Sequence, residues 1–428
     1  MNIQDIHNLF LQCKSLSIDT RKIEKDSMFF AIKGENFDAN TFAEEALKLG
    51  AIFVVIDDAS YFIDERTILV QNSLETLQEL SKFHRAYLKL PIIALTGSNG
   101  KTTTKELINV VLSKKYKTKA TVGNLNNHIG VPLTLLSFTK ETEIGIVEMG
   151  ANHKKEIEFL CAIAQPDFGY ITNFGKAHLE GFGGVEGVIE GKSEMYQYLL
   201  KNDKLVFVNL EDPIQIEKSA GIKSCTFGVN NNNADVKIKK ITANPFVVID
   251  YENFSVESHL IGLYNANNIN AAVSIGHYFK VDFEAVKEAI ENYIPENNRS
   301  QLLKKGSNQI ILDAYNANPS SMAVAIANFM QLEDQNKIMI LGDMFELGKE
   351  SHQEHKIIVD SLSNQEKSVC YLIGKSFYEN KISSTIITFF ETFEDFAAYI
   401  KTLQFQDNTI LIKGSRGMAL ERTLEYIS

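Results

Sequence analysis

The chain has 428 residues, 44% hydrophobic and 23% charged, which is apolar material for about three domains and excludes both a small binding module and a wholly disordered chain. Its 43 Lys and Arg against 54 Asp and Glu leave a net charge of −11 with no polybasic block, which argues against a protein that grips nucleic acid or an anionic membrane. Cys13, Cys161, Cys225 and Cys370 lie far apart, so neither a C-x-x-C pair nor a disulfide framework is expected and a reducing cytosol suits them. The first residues, Met1 to Asp5, carry no basic, apolar leader, and no later run approaches the roughly 20 apolar residues of a membrane span. A cytoplasmic location, without membrane association, is the expectation.

Taken in order, Thr41 to Leu49 reads as helix, and Ala51 to Ile56 and Thr67 to Val70 read as strands, so the first 85 or so residues form a small α/β unit. A helix follows from Ser73 to Leu88, with Leu74, Leu77, Leu80, Phe83 and Tyr87 on one side. The apolar run Ile92 to Leu95 predicts a buried strand, a glycine-rich turn follows, and Lys101 to Leu112 predicts a helix. Further strands at Ile144 to Met149, Phe168 to Thr172 and Leu205 to Asn209 alternate with helices, the pattern of a mostly parallel sheet. Asn230 to Asn233 reads as a surface loop between hydrophobic strands, Asn265 to Phe279 as a helix, and Pro295 to Asn298 as an interdomain linker. Beyond it, strands near Gln309–Leu312, Lys337–Leu341, Val369–Ile373, Thr385–Thr388 and Thr409–Ile412 alternate with helices. The expected fold is therefore α/β in three domains: a small N-terminal α/β unit (1–88), a central P-loop-type, mostly parallel sheet with helices (89–296), and a C-terminal Rossmann-like domain (297–428).

The strongest local signal is Thr96-Gly97-Ser98-Asn99-Gly100-Lys101-Thr102-Thr103, set between a buried strand and a helix. Glycines let backbone N–H groups curl around phosphate oxygens, and the helix N-terminus adds a positive dipole end. Lys101 is placed to reach the β and γ phosphates and Thr102 to ligate Mg²⁺. ATP binding by Gly97, Ser98, Asn99, Gly100, Lys101, Thr102 and Thr103 is expected. The loop is shorter than the standard Walker form, because Leu95 stands five residues before Gly100.

This T-G-x-N-G-K-T-T loop resembles that of the Mur ligase family, ATP-dependent amide-forming enzymes of peptidoglycan precursor synthesis, and the resemblance runs through nearly the whole chain. It implies that ATP converts a carboxylate to an acyl phosphate, which an amine then attacks. Glu148, in Glu148-Met149-Gly150, matches a magnesium ligand at a strand end opposite Thr102. Thr172-Asn173-Phe174-Gly175-Lys176-Ala177-His178-Leu179-Glu180 matches a signature in which His178 contributes to a second magnesium site. Lys192, in Lys192-Ser193-Glu194, matches a lysine that is carbamylated, which turns an ammonium with no lone pair into an anionic oxygen ligand. Asn265 and Asn268 match an adenine-binding G-x-H-N-x-x-N, with Tyr264 in place of its histidine. Arg299 matches an arginine that reaches the γ-phosphate on domain closure, here after Asn298 instead of glycine. Read as residues alone, Glu148 is equally a cap or surface acid, His178 a structural hydrogen-bonder, Lys192 a solvated lysine, Asn265 a helix cap and Arg299 a linker arginine.

Asp313-Ala314-Tyr315-Asn316-Ala317-Asn318-Pro319-Ser320-Ser321 resembles a motif of the family branch that adds D-alanyl-D-alanine to UDP-N-acetylmuramoyl-tripeptide. It implies Asp313 near the ATP ribose and Tyr315, Asn316 and Asn318 near the acceptor. Gly342-Asp343-Met344-Phe345-Glu346-Leu347-Gly348, with Ser351 and His355, matches the same branch, and Lys413, Ser415 and Arg416 of K-G-S-R match an anion-binding strand end. The D-N-P-R motif of the diaminopimelate-adding relatives is missing, which favours a dipeptide acceptor. Thr20 and Arg21 match the UDP-sugar domain. Asn126 and Asn127 match a substrate-binding segment in which His128 replaces a glutamate. The implied catalytic set is Lys101, Lys192, His178 and Arg299, the implied metal set Thr102, Glu148, His178 and Lys192, and the expected state a monomer. Folylpolyglutamate- or cyanophycin-type ligases, or a catalytically idle ATP-binding scaffold, are the competing readings.

Overall fold

The computed structural model describes residues 1–427 apart from 297, 335 and 364–367, so Asn297 of the expected linker lies outside the described residues. Among the described residues, nineteen strands form three sheets. The first contains β1 (Ser15–Ser17), β2 (Ser27–Phe30), β3 (Ala51–Ile56) and β4 (Thr67–Leu69), all parallel in that order. Both its faces are covered. Met28, Phe30 and Val55 pack under the helix Ser73–Leu88, and Phe29, Val54 and Ile56 pack on the other side against Ala43 and Ala46.

The second sheet holds β5 (Ile92–Thr96), β6 (Thr118–Ala120), β7 (Ile144–Glu148), β8 (Phe168–Ile171), β9 (Leu205–Asn209), β10 (Lys223–Val229), β11 (Val236–Ala243), β12 (Phe246–Tyr251) and β13 (Ser255–Ile261), in the order β13-β12-β11-β10-β9-β8-β5-β7-β6. It is parallel except where β12 runs antiparallel to β11 and β13. The first strand of this series lies between β7 and β8, so the chain leaves β5 at a topological switch point, where a crevice opens at the carboxyl ends of the strands. The third sheet, β14 (Gln301–Lys305), β15 (Asn308–Asp313), β16 (Lys337–Gly342), β17 (Ser368–Ile373), β18 (Ile387–Phe390) and β19 (Thr409–Lys413), has the order β14-β15-β19-β16-β17-β18, with only β14 antiparallel. Here β15 and β16 flank β19, a second switch point.

Two local expectations change. The helix expected from Thr41 begins at Ala43, after a 3-10 turn at Ala39–Phe42 capped by Asp38. The helix Ser73–Leu88 buries Leu77, Leu80, Ser81 and His84, while Tyr87 stays 40% exposed. Its inward face is rotated because His84 has a partner to reach: His7 Nε2 lies 3.0 Å from His84 Nδ1, and His84 Nε2 lies 3.0 Å from the Phe138 carbonyl of the central unit. A carbonyl only accepts, so His84 carries its proton on Nε2 and His7 donates to Nδ1. All four cysteines are free thiols. Among the described residues no helix is long and apolar enough to cross a membrane.

Candidate functional site

The carboxyl edges of the second and third sheets face one another across a cleft of about 1140 Å³, somewhat larger than the usual small-molecule site. On one wall the loop after β5 is held by the segment after β8. The Ser98 and Asn99 N–H groups donate to Asn173 O (3.1 Å) and Oδ1 (3.0 Å), the Ser98 hydroxyl donates to Gly175 O (2.8 Å), and the Thr172 hydroxyl to Asn99 O (2.6 Å). This packing explains the first glycine: at φ +147 a Cβ on Gly97 would lie 1.9 Å from Thr172 Oγ1. Gly100, at φ +78, starts the helix Lys101–Leu112, whose N-terminus adds positive dipole character. Lys101 donates to the Gly97 carbonyl at 2.7 Å. Burial lowers its pKa and the Arg299 charge lowers it further, against the opposing pull of Glu148.

Glu148 ends β7 and is 2% exposed, which excludes a surface acid. One carboxylate oxygen accepts from Asn126 Nδ2 at 2.8 Å, while Oε2 is buried with no hydrogen-bond partner. An orphaned carboxylate oxygen in a cleft that Thr102 also lines offers oxygen donors of the kind a hard divalent cation such as Mg²⁺ takes. Among the described residues no three His, Cys, Asp or Glu side chains gather as a metal site. His178 lines the cleft with Nδ1 2.5 Å from the Glu346 carboxylate of the opposite wall, and that contact holds Glu346 below the usual carboxylate range.

Lys192 is 1% exposed, on the helix Val185–Lys201, which excludes the solvated reading. It stands behind the cleft lining, its Nζ 5.1 Å over the Phe182 ring. Burial first, then the nearby Lys101 charge, brings its pKa down to about 7. Glu194, two residues on, accepts the Lys155 and Glu158 N–H groups (2.6 and 3.0 Å), closing the start of the neighbouring helix Glu156–Ala164.

Asn265 and Asn268 line the cleft but their amides are engaged. Asn268 Nδ2 donates to Asn265 Oδ1 (2.8 Å), Asn265 Nδ2 to Ile261 O (2.8 Å), and the Thr104 hydroxyl to Asn268 Oδ1 (3.0 Å). Asn265 therefore does not cap its helix; Tyr264 occupies that position without a side-chain cap. On the second wall, Lys413 at the end of β19 pairs with Asp313 at the end of β15 (2.6 Å), and the Arg299 guanidinium stacks 3.6 Å over the Tyr315 ring. Asn318 caps the helix Pro319–Gln331 through Ser321 N–H (2.9 Å) and also donates across the cleft to Asn99 Oδ1 (2.7 Å). Asn316 Oδ1 accepts from Ala317 N–H (3.0 Å), and Asn127 Oδ1 from the Ile129 and Gly130 N–H groups.

Other expected residues do not join. Ser415 accepts from Phe345 N–H and donates to Ala317 O, and Arg416, 60% exposed, pairs with Glu421. Thr20 and Arg21 lie in the N-terminal unit, where Arg21 pairs with Asp19 at 87% exposure. Sequence reasoning missed the cross-cleft pairs Lys176–Glu354 (2.6 Å) and His178–Glu346, and the Lys176 N–H donated to Ser320 Oγ (2.7 Å). All but Glu354 lie inside sequence motifs, but no spacing within one motif tells which residue of a distant segment it meets.

Family models match along the chain: the Mur ligase family catalytic domain at residues 12–85, the Mur ligase middle domain at 95–276, and the Mur ligase glutamate ligase domain at 298–416. The chain belongs to the Mur ligase family. It is 34% identical over 430 residues to the UDP-N-acetylmuramoyl-tripeptide–D-alanyl-D-alanine ligase of Bacillus subtilis, covering 96% of this chain and 92% of that one. It is 31% identical to the ligase of the same name from Escherichia coli, over 96% and 93%. Among solved structures it is similar to MurF from Acinetobacter baumannii (TM-score 0.86, 30% identity, 99% and 97% covered) and to MurF ligase from Thermotoga maritima in complex with ADP (TM-score 0.84, 26% identity, 97% of each). In this Mur ligase the phosphate loop and the Asp313–Ser321 motif occupy opposite walls of one cleft.

Proposed function

We propose that this chain joins D-alanyl-D-alanine to the terminal carboxylate of UDP-N-acetylmuramoyl-tripeptide at the expense of ATP, releasing ADP and phosphate. The observation that carries the reading is the single cleft whose walls hold the phosphate loop on one side and the Tyr315–Asn318 segment, bonded through Asn318 to Asn99, on the other. The whole-length likeness to ligases of that name supports the choice of substrates. The three working units span residues 1–88, 89–296 and 297–428, with the UDP-sugar held by the first through Thr20 and Arg21. A monomer acting in the cytoplasm is the simplest form, since one chain supplies both walls and ATP is at hand there.

The tripeptide carboxylate oxygen attacks the γ-phosphorus and ADP leaves. The dipeptide nitrogen then attacks the acyl carbon, and the tetrahedral intermediate expels phosphate while the amine loses a proton. Lys101 exchanges the Gly97 carbonyl for phosphate oxygens, and the loop N–H groups and Arg299 hold the remaining charge. Asn265, Asn268 and Asp313 border the nucleoside, while Asn126, Asn127, Tyr315, Asn316, Asn318 and Lys413 border the peptide substrates; Ser415 supports that wall through Phe345 and Ala317, and Arg416 lies 6.0 Å from the Tyr315 ring at its exposed edge. Thr102 and Glu148, with His178 and Lys192, would hold magnesium. Bound Mg²⁺ supplies the positive charge that lets two anions approach.

Lys192 acts as a carbamate in this reading. Its neutral nitrogen adds to the carbon of CO₂ and loses a proton, leaving an anionic oxygen donor. The depressed pKa supports this, because only the unprotonated amine carries the lone pair that attacks. The test is phosphate release with each substrate omitted in turn: release requiring ATP, the muramoyl tripeptide and the dipeptide together is expected, and release without the dipeptide, or none with it, contradicts the proposal.

A further inference from the structure

Between the second and third sheets the chain passes through Asn298, Arg299 and Ser300, directly before β14. Asn298 and Ser300 both have positive φ, +58 and +49, a conformation unfavourable for a non-glycine residue that persists where neighbours hold it. Those neighbours are specific. The Ser300 N–H donates to Asp313 Oδ1 at 3.2 Å, the Tyr315 N–H donates to the Asn298 carbonyl at 3.1 Å, and the Tyr264 hydroxyl lies 2.7 Å from Ser300 Oγ.

Tyr264 comes from the other wall. It precedes the helix Asn265–Tyr278, and its ring lies so close over Gly262 that a Cβ there would be 2.4 Å from it. A ring held this way has little freedom, and Ser300, 6% exposed, has little room to change partner. Arg299, between the two positive-φ residues, projects over Tyr315 into the cleft that Lys101 also lines. Rotation about the backbone of 298–300 redirects that guanidinium as a unit.

We propose that Tyr264 is a positioning residue: its hydroxyl, acting through Ser300, fixes the turn that aims Arg299 at the phosphate end of the cleft. A residue of the nucleotide-binding wall thereby sets recognition of the triphosphate by the opposite wall. The proposal rests on the reading of Arg299 as a contact to the γ-phosphate. It also explains why tyrosine works at a position where the family pattern has histidine: its role is toward the turn and not toward adenine.

The test is calorimetric affinity for ADP and for a non-hydrolysable ATP analogue, with Mg²⁺, in the wild type, Tyr264→Phe, Ser300→Ala, Arg299→Ala and the Tyr264→Phe/Arg299→Ala double variant. Loss of one hydrogen bond predicts about 3- to 10-fold weaker analogue binding in Tyr264→Phe and in Ser300→Ala. ADP affinity should stay within about 2-fold, and Tyr264→Phe should add nothing in the Arg299→Ala background. Equal weakening of ADP and analogue would make Tyr264 an adenine contact and overturn the proposal. So would additive losses in the double variant, unchanged analogue affinity in both single variants, or an Arg299→Ala protein that still prefers the triphosphate. A wild type that binds both nucleotides yet forms no amide would count against the ligase reading alone.

Discussion

Replacing Lys192 by alanine removes the nitrogen that carries the carbamate in the proposed function, and the ligation rate is expected to fall by roughly 100-fold. Added formate or acetate should restore part of it, because a free carboxylate can enter the space and offer the missing oxygens; initial rates with and without the additive check this, and an unimpaired variant refutes the carbamate. The His7–His84 pair gives a prediction of a different kind. Burial, then the charge of His84, brings the His7 pKa down to about 4, and burial also lowers that of His84. In the unfolded chain both titrate near the ordinary value of about 6.5. Their contribution to stability is therefore complete above that value and is lost as pH falls from about 6.5 toward 4, because the unfolded state takes up protons first. Thermal unfolding midpoints across this window should fall, and His7→Gln, which keeps a donor without the titration, should flatten the decline. Little of this was readable in the sequence: His7 and His84 stand 77 positions apart, and no local pattern pairs them. Lys192 was readable only by resemblance, since its burial depends on Phe182 arriving from another helix.

At the scale of elements, strands made of uninterrupted apolar residues between turn formers were legible, and β3, β5 and β7 start where expected. Less so were β1 and β6, which are three residues long, and β11, whose Lys237, Lys239 and Lys240 break the apolar run. The antiparallel β11–β13 ribbon needed tertiary pairing to be seen. Motif residues were legible as residue types but not as partners. Asn318 is the clearest case, because the Asn-Pro-Ser-Ser turn predicted a helix start whereas its bond to Asn99 spans 219 positions. Asn318→Ala removes the cap and the bridge together. It should cost about 1–2 kcal/mol of stability by chemical denaturation and lower turnover as well; Ser321→Ala, which touches only the cap, should lower stability with a smaller effect on turnover.

For the whole molecule, two carboxyl-edge crevices are brought face to face; polar pairs such as Asn318–Asn99 and Lys176–Glu354 cross between them, and one apolar cluster holds residues of both units. In Lys176–Glu354 the carboxylate is 10% exposed but the ammonium 44%, and water around the lysine screens the pair to a contribution of about 1 kcal/mol. Glu354→Gln should therefore change kcat/KM by less than about 5-fold, and steady-state kinetics showing a far larger loss would mean that this pair, and not the nucleotide, holds the walls together. A chain of net charge −11 handles polyanions here through a short loop, a helix end and a few cations at one cleft, so the overall sign excluded a nucleic-acid grip without excluding phosphate chemistry. The central claim is tested most directly by mass analysis of the product formed from ATP, Mg²⁺, UDP-N-acetylmuramoyl-tripeptide and D-alanyl-D-alanine. The account predicts one product equal to the two peptide substrates less one water, with one ADP and one phosphate released for each; ATP hydrolysis with no such adduct, or a free amino acid joined in place of the dipeptide, would contradict it.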